Sequence, residues 1–363
     1  MKVQLDEITD KICNDFGIQN FTGEIEFKKP ILPQEKDFSI GLIVGSSGAG
    51  KSTLLKDFGV EEFYEWDNTL SVASNFDSYQ DASERLMGVG LNSVPSWLKP
   101  FSILSNGEKY RANMAKMLKS GAVFDEFTSV LDRNVSKSMC HSIQKYIRQK
   151  DLKNIVFASP HKDIIEFLQP DWVYDLDDMT FTKKDSLRRR DSIELKFKRD
   201  EKDLWEIFSK HHYLDTGLNK ACHFYTAYWN DILVGCSAVL PLPSGHFKNA
   251  FREHRVVVLP EYQGMGFGSV ISNTIAQLYK NKGCLFYSKT AHPKLGEYRE
   301  RSPLWEPSAK NKLIFEDSKG HGAHNKNMEW KVILNRMSYA HKYVGDIEIN
   351  YIKEEESGLD EWE

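Results

Sequence analysis

No stretch of this 363-residue chain approaches the ~20 consecutive apolar residues that a membrane-spanning helix needs. The opening segment MKVQLDEITDKICNDF carries acidic residues and lacks an apolar core, so a secretory signal is not expected there. Cysteine is scarce: Cys13, Cys140, Cys222, Cys236 and Cys284 are odd in number, scattered, and form no CxxC. A disulfide framework or a structural zinc site is therefore not expected, and a reducing cytoplasm is the expected compartment. An excess of one charge sign is missing too. Lys+Arg 48 against Asp+Glu 52 leaves a net −4, which gives no bulk electrostatic pull toward nucleic acid. Neither an internal repeat nor a long heptad pattern is visible, so a solenoid or a long coiled coil is excluded.

What is present is ordinary globular material, 40% hydrophobic and 28% charged, which excludes disorder for the bulk of the chain. The length predicts two domains. The polar, basic stretch KKDSLRRR at 183–190 separates two patterned regions and places the boundary at 186–192. The expected division is 1–188, 189–350 and an acidic tail, 351–363. The arginine cluster reads as a solvated linker, with phosphate contact as the alternative. Locally, 183–202 carries nine Lys/Arg against five Asp/Glu.

The first region is patterned for a nucleoside triphosphate. FSIGLIV is an apolar, β-prone run, and Gly45, Gly48, Gly50, Lys51 and Ser52 then fit G-x-x-x-x-G-K-[ST], with Thr53 next. Glycines let backbone N–H groups curl around phosphate oxygens, Lys51 supplies a point charge, and the Ser52 hydroxyl is placed for Mg²⁺. TLLKDF is expected to continue as a helix. Downstream, Leu104-Ser105-Asn106-Gly107-Glu108 precedes a helical pattern, and AVFDEF ends a short apolar run in Asp125-Glu126. One carboxylate there can hold Mg²⁺ and the next can polarise a water at the γ-phosphate. NIVFASPH is a third apolar strand that ends at His161.

This order resembles the ABC-type ATPases. The resemblance implies that Asp125 is the Mg²⁺ carboxylate, Glu126 the catalytic carboxylate, Ser129–Asp132 a D-loop and His161 the switch histidine. It also implies that Ser105 and Gly107 face a partner subunit's ATP, hence an ATP-dependent homodimer. LSNGE departs from the LSGGQ signature at Asn106 and Glu108, and is more similar to the soluble SMC and RecF branch than to transporters. Only 53 residues separate Lys51 from Leu104, which is short for a transporter's helical subdomain.

The second region reads differently. HFYTAYW and ILVGCSAVLPL alternate around Trp229-Asn230-Asp231, a hairpin signal. The run 255–259 is a strand, and Gln263-Gly264-Met265-Gly266-Phe267-Gly268 opens an amphipathic helix bearing Val270, Ile271, Ile275 and Leu278. A glycine turn at a helix start is a diphosphate site. A Rossmann site does not fit, because its glycine spacing and downstream acid are absent. V-V-V-L-P-E-Y-Q-x-x-G-x-G resembles motif A of the GNAT N-acyltransferases. The resemblance implies that Val256–Val258 meet the pantetheine arm of acetyl-CoA or another acyl-CoA, and that Gln263, Gly264, Gly266, Gly268 and Ser269 hold its diphosphate. Glu253 and His254 are the candidate bases and Tyr298 the candidate acid. His211-His212-Tyr213 could line the acceptor pocket, and is distantly reminiscent of the Mom-type phage DNA-modification proteins. His321-x-x-His324 lacks further ligands, so no metal is expected there.

The expected fold is thus α/β: a P-loop ABC-type ATPase domain followed by an α+β GNAT-like domain. The expected function is a cytoplasmic enzyme, an ATPase whose ATP cycle gates acyl transfer to an amine, with a nucleic acid as a candidate acceptor and no membrane partner. The alternatives are a non-catalytic ATP-switched protein that binds nucleic acid or another ligand and, less favoured, a transporter's ATPase subunit.

Overall fold

The computed structural model describes residues 3–19, 21–24, 37–187, 192–211, 217–242, 249–314 and 337–349. His212, Tyr213, His321, His324, most of the expected linker and the acidic tail lie outside the described residues. In chain order the elements begin with α1 (Glu7–Asp15), β1 (Ile40–Val44), α2 (Lys51–Leu55), α3 (Tyr79–Gly88), α4 (Val94–Trp97) and α5 (Asn106–Met117). There follow β2 (Val123–Phe124), α6 (Arg133–Gln149), β3 (Ile155–Ser159), α7 (Ile165–Leu168), β4 (Trp172–Asp175) and β5 (Thr180–Lys183). Next come β6 (Lys196–Arg199), α8 (Trp205–Ser209), β7 (His223–Trp229), β8 (Ile232–Pro241) and β9 (Ala250–Val258). The last are α9 (Phe267–Asn281), β10 (Leu285–Thr290), α10 (Pro293–Arg301), β11 (Trp305–Pro307), β12 (Leu313–Ile314) and β13 (Met337–Tyr343). No helix among the described residues is long and apolar enough to cross a membrane.

Two compact units result, and neither is continuous in sequence. One combines residues 1–63, 117–129 and 147–188, and the other 64–116, 130–146 and 189–363. The first unit is built on a five-stranded sheet, β2-β3-β1-β4-β5. β1 pairs in parallel with β3 and β4, and β4–β5 is an antiparallel hairpin. Every residue of β1 and β3 is buried, which is why these strands read as unbroken apolar runs rather than alternating ones. The helix expected across TLLKDF stops at Leu55. Phe58 turns back to stack on Trp172 (5.6 Å between ring centroids), and a Cβ at Gly59 would lie 3.4 Å from Val123.

The second unit contains an eight-stranded sheet whose main path is β11-β13-β10-β9-β8-β7-β6. The β7–β8 hairpin turns on Asn230 and Asp231, both at positive φ (+49° and +62°), the pairing a two-residue hairpin demands. One face of the sheet packs Ile275, Ala276 and Tyr279 of α9 with Tyr225, Val239 and Phe286. Trp205 and Phe208 of α8 pack with Phe224, Cys236, Ala238 and Val257 in a second cluster. Val270, expected on the apolar face of α9, is 44% exposed, whereas Ile271 and Ile275 are buried.

Candidate functional sites

In the first unit the parallel register fixes where the motif residues emerge. Val44 sits opposite Ser159, and Phe124 opposite Phe157. The segments that leave β1, β2 and β3 therefore start from one sheet edge, the carboxyl end, where α/β sheets bind ligands. Those segments carry Gly45–Lys51, Asp125–Glu126 and His161. Gly48 and Gly50 have φ of +82° and +98°, a conformation that disfavours side chains. A Cβ at Gly45 would lie 3.0 Å from that of Leu176. Lys51 is only 5% exposed, and its ammonium donates to the carbonyls of Gly45 (2.9 Å) and Ser46 (2.8 Å). Two of its three donor hydrogens are so committed. Ser52 and Thr53 are exposed beside it.

The acidic pair is held by local bonds. The Asp125 carboxylate accepts the Glu126 N–H at 2.9 Å, and Glu126, at φ +47°, accepts the Ser129 hydroxyl at 2.6 Å. The fully buried Thr128 lies 2.9 Å from His161 Nδ1, and His161 N–H donates to Ser159 Oγ. The loop after β2 and the end of β3 are thus one bonded assembly. Two participants carry no motif signal. The Asp177 carboxylate accepts both the N–H (2.8 Å) and the hydroxyl (2.9 Å) of Ser46, and Lys162 bridges Asp175 and Asp177. The Ser46 bonds, then Lys162, pull the Asp177 carboxyl down to about 2. Glu61 is raised, chiefly by burial, and its neighbour is Asp125.

The LSNGE turn belongs to the second unit and opens α5 as a capping box. Ser105 N–H and Oγ both donate to Glu108 (2.9 Å each), and Glu108 N–H donates back to Ser105 Oγ at 3.3 Å. This gives Glu108 a structural role. Burial would raise its carboxyl, but bonds from Ser96 and Ser105 outweigh that and lower it. Ser105 and Asn106 are exposed, and a Cβ at Gly107 would lie 3.1 Å from Leu131.

The remaining candidates gather around β9. It pairs with β8 along almost its whole length, but with β10 only at Ala250–Arg252. Beyond Arg252 the two parallel strands part, so Glu253 to Val258 have no ladder partner on the β10 side. Val256 and Val258 lie on this open edge. The register slips between Ala238 and Val239, opposite Arg255 and Glu253, which makes His254 the extra residue of a bulge. Gln263 donates to the Val258 carbonyl at 2.8 Å and fixes the exit of the strand. Gly264 (φ +91°) and Gly266 (φ +86°) then reverse the chain into α9, capped by Gly266. A Cβ at Gly266 would meet nothing within 4 Å, and Gly268 sees only Val258. The first-turn N–H groups of α9 include those of Phe267, Gly268 and Ser269, and the Ser269 hydroxyl donates to the Gly266 carbonyl. A Cβ at Gly264 would collide with Ser142 Oγ, so the turn is crowded there and open at Gly266. An open edge next to that open position fits an extended arm that ends in a diphosphate.

The side chains expected to do chemistry are differently placed. Tyr298, on α10, accepts a hydrogen bond from Asn273 at 2.7 Å. Glu253 accepts from Ser288 and from Arg299, each at 2.6 Å. Arg299 is fully buried, bonds Ser272 at 2.8 Å, and stacks its guanidinium 4.5 Å from the Trp305 ring. Neither Arg299 nor Ser288 carries a sequence signal, because their partners lie 46 and 35 residues away.

Comparison with known proteins agrees with the geometry of the second unit. The acetyltransferase (GNAT) family profile matches residues 185–297. Among solved structures, Arabidopsis thaliana Naa50 with the bisubstrate analogue CoA-Ac-MVNAL aligns at 16% identity and TM-score 0.31, covering 42% of this chain and 99% of that one. A Bacillus subtilis acetyltransferase in complex with CoA aligns at 14% and 0.29, covering 42% and 98%. A dimeric bacterial ABC transporter cassette aligns at 15% and 0.30, covering 40% and 83%. No curated protein sequence matches the chain. Residues 185–297 thus match the acetyltransferase (GNAT) family.

Proposed function

We propose that the chain is an acyl-CoA-dependent N-acyltransferase whose activity is tied to ATP bound by its first unit. The observation that carries the proposal is the parting of β9 from β10 directly before a glycine turn with open space at Gly266. The edge at Val256–Val258 offers backbone groups to the pantetheine amides, and the N–H groups at Gln263–Ser269 take the diphosphate. Glu253, or His254 from the bulge, accepts the proton of an ammonium acceptor. The freed amine nitrogen attacks the thioester carbonyl, the C–S bond breaks, and Tyr298 protonates the departing thiolate. The sum is one amide and one thiol per thioester, with one proton released. Such acid–base assistance is worth about 10²–10⁴-fold.

ATP with Mg²⁺ would supply binding energy and a hydrolysable phosphoanhydride. Gly45–Thr53 and Asp125 fit it, through the Lys51 ammonium, the glycine conformations and the Ser52 hydroxyl. Glu126 then orients water and His161, held by Thr128, senses the γ-phosphate end. Exposure of Ser105 supports a homodimer in which each LSNGE turn meets the partner's ATP. The locally basic sequence 183–202 supports a nucleic-acid acceptor. The test is mass spectrometry of nucleosides, proteins and metabolites from cells expressing the wild type or Gly266→Glu. An acyl mass increment seen only with the wild type is expected. Identical profiles in all three pools would overturn the proposal.

A further inference from the structure

We infer that Arg299 is a positioning residue that orients Glu253 as the proton acceptor at the fork between β9 and β10. The inference rests on the acyltransferase reading above. The ladder between these strands ends at Arg252 and Tyr287. In that register the next pair is Glu253 with Ser288, and there backbone pairing gives way to a side-chain bridge, Ser288 Oγ donating to Glu253 Oε2 at 2.6 Å. Arg299 Nη2 donates to the same oxygen at 2.6 Å and to Ser272 Oγ at 2.8 Å.

The asymmetry distinguishes this pair from a structural ion pair. An arginine that only neutralises a carboxylate frequently does so with two nitrogens on two oxygens. Here one nitrogen carries both bonds and one oxygen receives both. Among the described residues, Glu253 Oε1 and Arg299 Nε and Nη1 are buried without a hydrogen-bond partner. Leaving such atoms unpaired is costly and therefore rare, and a place that takes water or substrate is one of the few that accounts for it. Oε2 is locked, and Oε1 is left to receive a proton where the sheet opens. Trp305, stacked on the guanidinium, prevents Arg299 from swinging away.

The experiment uses the full chain with acetyl-CoA and two probe amines. Methylamine is an ammonium near neutral pH and must lose a proton. Hydroxylamine is already neutral and needs no base. Arg299→Met is expected to slow transfer to methylamine about tenfold or more, while transfer to hydroxylamine and acetyl-CoA affinity stay unchanged. In a Glu253→Gln background the same substitution should add nothing. Arg299→Lys, which keeps one charged donor, should recover most of the rate. Should Arg299→Met fail to fold, Ser288→Ala removes a bond to Oε2 without unpairing a charge, and should slow only the methylamine reaction, about threefold. Equal losses with both amines, or a further loss in the Glu253→Gln background, overturn the positioning role. Transfer to hydroxylamine but not methylamine by the wild type overturns it too, since no base is then in place. Transfer to neither amine overturns the acyltransferase reading itself.

Discussion

Breaking the Glu253–Arg299 pair should cost far more than removing it whole. The two side chains are 7% and 0% exposed, with their charged atoms 2.6 Å apart. At an effective dielectric near 20 that separation gives a gross attraction of about 6 kcal/mol. Desolvation of two ions consumes several kcal/mol each, so the net worth of the pair is small. Arg299→Met alone leaves a buried carboxylate with one hydroxyl donor, and is expected to cost about 3–5 kcal/mol. Glu253→Leu alone strands a guanidinium and should cost about the same. The double variant unpairs only the hydroxyls of Ser288 and Ser272, for a total of about 2 kcal/mol. The coupling between the two sites is thus about 4 kcal/mol or more. Hydrogen exchange read by mass spectrometry on peptides from β9, β10 and α10 measures local stability without assuming that both units unfold together. Single variants that each cost under about 1 kcal/mol, or a double variant equal to their sum, would refute the reasoning.

Other consequences concern the first unit. Glu126→Gln keeps the Ser129 bond but removes the carboxylate charge, so ATP with Mg²⁺ should accumulate a stable dimer by size exclusion; a monomer at saturating ATP contradicts the sandwich. Asp177→Asn loosens Ser46 and leaves Lys162 paired with Asp175 alone, and should weaken binding of a fluorescent ATP analogue about three- to tenfold; unchanged affinity rules out a role for the Asp177–Ser46 bonds in nucleotide binding. The Asp177 carboxyl is depressed from 3.8 to about 2. Its contribution to stability is therefore complete above pH 3.8 and lost as the pH falls toward about 2, and acid unfolding of the Asn variant should lack that component.

Sequence legibility followed chemistry that is local in the chain. The glycine pattern at 45–52 could be read because phosphate binding would require glycines and a lysine within eight residues, and Gly48 and Gly50 do adopt positive φ. Asn230-Asp231 could be read because a two-residue hairpin turn needs that conformation at both positions. Glu108 looked like a departure from a signature and is better explained by its cap on Ser105. Arg299, Ser288 and Asp177 were invisible, since each acts through a partner 35 to 131 residues away that only folding brings close. The interleaved units were equally hidden. A linear boundary near 188 describes the change in pattern, whereas 64–116 and 130–146 fall in the same compact unit as 189–363.

The central claim is that the fork and the Gly266 turn bind an acyl-CoA. Isothermal titration of acetyl-CoA into the full chain, wild type against Gly266→Glu, addresses it directly. A side chain at φ +86° is strained by about 1–2 kcal/mol, and its carboxylate would face the diphosphate. The account predicts saturable one-site binding by the wild type, and at least about tenfold weaker binding by a folded variant. No binding by the wild type, or equal affinity in both proteins, would contradict it.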